Sequence, residues 1–287
     1  MAEKIDRAQR GIQSIEVGGQ VLLALVHHGR PMALKDLARE AGMAPAKAHP
    51  YLVSFARIGL IEQDPQSGSY FLGPLALQLG LISLQQAHPV QVATPLIGEL
   101  AQRLGHTVAI AVWGTRGATI VRLEESPTAV HVNMRHGTVF SFANTASGRL
   151  FAAFQPPPVA RERLEAERER SKAERLRVTG DRLRLKMPAG SEPAGVPALL
   201  PVPRWKDFET QLAEVRHHGL SRSVGEVVRG INAMAAPVFD HTGAMVLAIT
   251  AIGPDAAFDT RWAGPLAQAL KAAAAQASRR LGAPISP

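Results

Sequence analysis

Apolar positions near the start of the chain recur at spacings of three and four. Val17, Val21, Leu22, Leu25 and Val26 form one stripe, with Ser14 as the expected cap and Glu16 beside the positive helix end. Gly29 and Pro31 close that run. Leu34, Leu37, Ala38 and Ala41 predict a second helix over Leu34 to Glu40, ended by Gly42, and Ala48, Leu52, Phe55 and Ile58 predict a third over residues 45–58. Helix, short glycine turn, helix is the helix-turn-helix pattern. Residues 60–64 and 69–73 then flank Pro65-Gln66-Ser67-Gly68, which predicts a two-stranded hairpin, or wing.

Leu75, Leu77, Leu79, Leu81, Ile82 and Leu84 predict a connecting helix to about residue 86. Both of its faces are apolar, more than one packed face requires, so part of it should meet another subunit. His88-Pro89 breaks the chain, and 92–104 reads as an amphipathic helix. Residues 108–113 and 119–124 read as strands around a Gly-Thr-Arg-Gly turn, with a third strand at 130–134. Two nearly continuous apolar runs, 231–239 and 244–252, flank Asp240-His241-Thr242-Gly243. They predict a hairpin covered on both faces, with the polar stretch 221–226 as a loop at its rim. Residues 161–177 alternate in charge and read as a solvated surface helix. Residues 178–203 hold five prolines and read as an extended loop, while 208–218 and 265–281 read as helices.

Length and composition narrow the classes. A chain of 287 residues suits one large domain or two ordinary ones. The net charge of +8 favours a polyanionic partner without identifying it. Cysteine is absent, which excludes disulfides and thiolate metal sites. MAEKIDRAQRG contains no apolar leader, and no run approaches a membrane span, so the cytoplasm is the expected location.

Candidate chemistry is sparse. The third helix turns Lys47, His49, Tyr51, Ser54 and Arg57 away from its apolar stripe, a basic face without an acid. Such a helix fits the DNA major groove, although three small helices and a hairpin also make a plain structural domain. Ala146-Ser147-Gly148 before an apolar helix leaves two readings open: free amides for a carboxylate, or close helix–sheet packing. Gly219-Leu220-Ser221-Arg222-Ser223 begins like a nucleophile elbow, but Ser223 stands where the second glycine is needed; a serine hydrolase is the remote alternative. His27-His28 and His217-His218 are adjacent pairs that diverge on a helix. No catalytic residue, cofactor or metal is expected, since phosphate-loop and dinucleotide glycine patterns are missing.

Three segments carry a resemblance. LKDLAREAGMAPAKAHPYLVSFARIGLIEQDPQSGSYFLG resembles the DNA-binding domain of the IclR family of bacterial transcriptional regulators. SFANTASGRLFAAF resembles that family's Thr-Ala-Ser-Gly segment followed by a basic residue and a helix. SVGEVVRGINAMAAPVFDHTGAMVLAITAIGP resembles its C-terminal signature, two apolar strands ending in Gly-Pro. The resemblance implies an α+β protein: a winged helix-turn-helix at 1–73, a linker helix at 74–89, and a GAF-like domain at 90–287 with a mixed or antiparallel sheet flanked by helices.

It implies a ligand-responsive regulator that partners double-stranded operator DNA, a small organic acid, and further copies of itself as a homodimer or tetramer, without a membrane. Lys35, Lys47, His49, Tyr51, Ser54 and Arg57, with Ser67 and Ser69 of the wing, are then the expected DNA contacts. The effector contacts carried over are Asn144, Thr145, Ala146 and Ser147, with Arg135 beside them; Ser223; and Ala233, Thr250 and Ile252, with Asn232 as their neighbour. Ser223 stands where relatives that bind small keto acids have an acidic residue, and Ala233 and Ile252 where they have polar ones. A larger, partly apolar acid, aromatic acids included, is therefore expected. Pro50 stands where the family commonly carries an arginine, which raises the alternative of a small-molecule binder with impaired DNA binding.

Overall fold

The computed structural model describes residues 11–115, 117–125, 136–184 and 200–284. The chain forms two compact units, Met1–Ala87 and His88–Pro287.

In the first unit α1 (Gln13–His28), α2 (Leu34–Glu40) and α3 (Pro45–Arg57) enclose Val21, Leu25, Leu37, Ala38, Ala48 and Leu52. The stripes are wide enough to bury one side of each helix and leave the other polar. Ser14 does not cap α1: Ile12 occupies that position without a side-chain bond, and Ser14 falls inside the first turn. Val26 and Ile58, expected inward, are 58% and 59% exposed. Gly42, at φ +66°, turns the chain between α2 and α3, and the Met43 amide donates to the Ala38 carbonyl. β1 (Ile61–Gln63) and β2 (Tyr70–Leu72) pair antiparallel as the wing, and Met32 bridges to Tyr70. α4 (Pro74–Gln86), the expected linker helix, has no buried residue.

The second unit is built on a five-stranded sheet. Its members are β3 (Thr107–Gly114), β4 (Gly117–Glu124), β5 (Ser221–Val224), β6 (Ile231–Phe239) and β7 (Met245–Pro254), in the order β4-β3-β7-β6-β5. Every neighbouring pair is antiparallel. α5 (Pro89–Leu104) and α9 (Pro265–Arg280) pack together on one side of the sheet. α6 (Ala146–Ala153) covers the other side, with α8 (Trp205–His218) packed on α6 and α7 (Pro157–Arg184) contributing Ala160 and Leu164 to the same core. Covering on both sides explains why β6 and β7 are apolar at almost every position.

Several boundaries differ from expectation. The stretch 221–226 is not simply a loop: residues 221–224 are β5, an edge strand whose polar side chains alternate with the pleat. Pro89 starts α5 instead of breaking the chain, because a proline in the first turn forfeits no helical bond. α7 runs on to Arg184, through residues expected to be a loop; the remainder of that stretch to residue 199 lies outside the described residues, as does the strand expected at 130–134.

One irregularity ties the sheet to α9. The β6–β7 register slips between Val238 and Phe239, so Val246 is an extra residue on β7. The Phe239 amide donates instead to Ser278 Oγ at 3.0 Å, and that hydroxyl donates to the Ala274 carbonyl at 2.8 Å. Ser278→Ala leaves a part-buried amide unpartnered, so urea unfolding should show a loss of about 1 kcal/mol. An unchanged midpoint would mean the Phe239 amide has another acceptor.

Candidate nucleic-acid interface and effector site

On α3, Lys47, His49, Ser54 and Arg57 are exposed, and so is Lys35 on α2. The helix is continuous from Pro45 to Arg57 despite Pro50. Ser54 Oγ donates to the Pro50 carbonyl at 2.9 Å, so its hydroxyl is engaged on its own helix. Tyr51 is placed differently from its neighbours. Its ring lies against Gly18 of α1, where a methyl group would come within 2.9 Å of Cδ1.

The wing tip is held by one carboxylate. Asp64 accepts from the Gln66 amide at 2.9 Å and from Ser67 Oγ at 2.7 Å. Ser67 Oγ also accepts from the Ser69 amide. The Gln66 amide, and after it the Ser67 hydroxyl, hold the Asp64 carboxyl below its ordinary value of 3.8. The wing therefore presents a fixed negative charge beside the two serines expected to meet DNA. Lys35 is the cation of α2 left over, since Arg39 pairs with Asp36 at 2.7 Å.

Most of the residues expected to meet an effector converge at the start of α6. Thr145 caps the helix: its hydroxyl accepts from the Gly148 amide and donates to the Ser141 carbonyl. The amides of Ala146 and Ser147 have no partner among the described residues, so the positive helix end keeps two donors. Gly148 permits this approach, because a methyl group there would lie 2.0 Å from the Ser141 carbonyl oxygen. The two readings of the small-residue segment thus coexist: it packs closely and leaves amides free.

Below α6 lie two cross-strand rows. One runs Ser223, Ala233, Ile252, Thr107; the next runs Ser221, Ala235, Thr250, Ala109. Ser147 Oγ and Thr250 Oγ1 are 2.9 Å apart, which fixes these rows as the face turned to α6. Ser223 Oγ donates to the Asn144 carbonyl at 3.4 Å. Asn144, Ser147, Ser223 and Thr250 therefore come together, with Ala233 and Ile252 in the same row as Ser223. Asn232 has the opposite parity, and its side-chain oxygen accepts from the Gly225 amide at 2.9 Å, holding the turn after β5. Arg135 lies outside the described residues.

Two features were not visible in the sequence. Ser221 Oγ is fully buried with no hydrogen-bond partner, in the row that contains Thr250. Arg149 is buried at 6% exposure, and its guanidinium donates to Glu226 at 2.8 Å and to the Arg222 carbonyl at 2.7 Å. This ion pair joins α6 to β5 and the loop after it. The polarity of a loop sequence does not show which glutamate will reach a helix on another element.

Comparison with known proteins decides the family. Residues 14–65 match the IclR helix-turn-helix domain, and residues 82–182 and 203–279 match the bacterial transcriptional regulator IclR C-terminal domain. The chain belongs to the IclR family. The glycerol operon regulatory protein of Streptomyces griseus is 30% identical over 277 residues, 96% of this chain and 98% of the relative. The crystal structure of Pseudomonas aeruginosa HmgR superposes with a TM-score of 0.76 at 31% identity, over 95% of this chain and 99% of that one. The Agobacterium tumefaciens repressor BlcR, at 17% identity and a TM-score of 0.70, shares the fold. This IclR-family protein is thus a transcriptional regulator with a helix-turn-helix DNA-binding domain and a C-terminal effector domain. No helix among its described residues is long and apolar enough to cross a membrane.

Proposed function

We propose that this regulator is a cytoplasmic, sequence-specific DNA-binding protein controlled by a partly apolar organic acid, aromatic acids among them. The observation that carries the ligand half is the pairing at α6. Two unpartnered amides at a positive helix end lie over a sheet face that mixes hydroxyls with Ala233 and Ile252. The amides and Ser147 suit a carboxylate; the aliphatic residues suit the body of the acid. No acidic side chain stands in either row, which favours an anion. Thr250 supports Ser147, and Asn144 and Ser223 close the polar edge.

Calorimetry with benzoate, phenylacetate, glyoxylate, pyruvate, glycerol and glycerol phosphate tests this reading. An aromatic acid should bind in preference, and Ser147→Ala should weaken it about tenfold, the effect of one hydrogen bond to a charged group. Preference for glyoxylate, pyruvate or glycerol would overturn the ligand class. The last is included because one relative is named for a glycerol operon.

For DNA, Lys47 and His49 near the start of α3 read base edges, while Arg57 near its end, Lys35 and the wing serines meet phosphate. Removing Arg57 as alanine should weaken all sequences alike and lower the salt slope by about one per half-site. Pro50→Arg should raise affinity and slope together. The alternative, impaired DNA binding, is motivated by the missing arginine, but the unbroken helix across Pro50 counts against it. Affinity for the protein's own upstream DNA across a salt series separates the two. No specific binding by the parent supports impairment.

Self-association rests on α4, where Leu77, Leu79, Leu81, Ile82 and Leu84 are 44–65% exposed. A second copy covers this helix, giving a homodimer or tetramer. Light scattering should return a multiple of 30.7 kDa at micromolar concentration; a monomer refutes it.

A further inference from the structure

A cleft of about 370 Å³ opens on the second unit, away from the rows below α6. Its walls include Trp113 of β3, Phe140 and Ser141 of the segment before α6, and Arg163, Glu167 and Arg170 of α7. That volume lies within the span of about 300–1,000 Å³ in which small molecules are held. The cleft shares neither its sheet residues nor its cations with the α6 site.

Its charges are unbalanced. Arg163 and Arg170 are seven positions apart, close to two helical turns, so both lie on one face of α7. The Arg163 guanidinium sits 4.7 Å over the Trp113 ring, and its buried Nε has no acceptor. Neither arginine has an acidic partner among the described residues. Glu167 lies between them, but its two oxygens accept from Ser141 Oγ and, at 2.8 Å, from the Phe142 amide. Two guanidiniums thus face a cleft whose one carboxylate is already committed, beside the aromatic rings of Trp113 and Phe140.

We propose that this cleft is a second ligand site, for a small organic anion with a flat apolar body. The carboxylate meets the guanidiniums of Arg163 and Arg170, which favour planar anions. The body lies against Trp113 and Phe140. An inorganic anion would gain only the charge.

The test is calorimetry of the full-length protein with benzoate and, separately, inorganic phosphate. The parent should bind one benzoate at this site per chain, in addition to any bound at α6, and bind phosphate more weakly. Arg163→Gln and the exposed Arg170→Gln should each weaken the site about tenfold, with quenching of Trp113 fluorescence lost in parallel. Ser147→Ala should leave this site unchanged. Arginine variants that bind benzoate like the parent, or phosphate held as tightly as benzoate, overturn the proposal. Benzoate binding removed entirely by Ser147→Ala also overturns it while sparing the α6 reading. Binding insensitive to Ser147→Ala but lost in the arginine variants removes the α6 reading and leaves this one standing.

Discussion

The close approach of α6 to the segment before it sets the geometry of the second unit. Gly148 lies so near the Ser141 and Phe142 carbonyls that no side chain fits. Contact at that distance brings Thr145 into capping position, sets Ser147 against Thr250, and puts Arg149 within reach of Glu226. The same segment is gripped from the other side by Glu167. A helix only one methyl group farther out would lose the hydroxyl pair that joins it to the sheet. Close packing and the two free amides of the proposed ligand site thus follow from one constraint.

Much of the fold could be read from the sequence where a local signal and a packed face agreed. α2 is framed by Leu34 and Gly42 and buries Leu37 and Ala38, so pattern and structure coincide. β6 and β7 are apolar on both faces because helices cover both, and only a central hairpin needs that. β5 was missed because an edge strand has one neighbour and tolerates polar residues, which makes four residues of it look like a loop. Ser14 misled because Ile12 and Gln13 already adopt the helical entry, leaving the serine no amide to cap. The extent of α7 escaped because the five prolines of 178–203 made the whole stretch look like a loop, whereas the first of them is Pro188 and the helix continues to Arg184 before it.

The α6 site was readable only as a set of candidates. Alternation placed Thr250 and Ile252 on one face, and the structure puts Ser221, Ser223, Ala233 and Ala235 there with them. Which hydroxyls meet depends on strand register and on the height of α6, neither of which is encoded locally. Asn232 shows the limit: one position from Ala233 in sequence, it faces the other way and serves the backbone. The face of α3 expected to meet DNA behaved similarly, since Tyr51 has the polarity of a surface residue but finds room over a glycine of α1.

The two rows below α6 also bear on how such a regulator changes its signal. Their side chains project from strands whose hydrogen bonds run through the backbone alone, so the sheet holds together whatever those side chains are. Ala233 and Ile252 can be exchanged with the strand pairing intact, whereas Ala235, fully buried in the core it shares with α6, has no room to grow. On the proposed reading, the end that meets the carboxylate stays constant while the surface for the rest of the molecule is rewritten one residue at a time. On that reading, a new effector is reachable by a single substitution at Ala233 or Ile252, with no change to the DNA-binding unit.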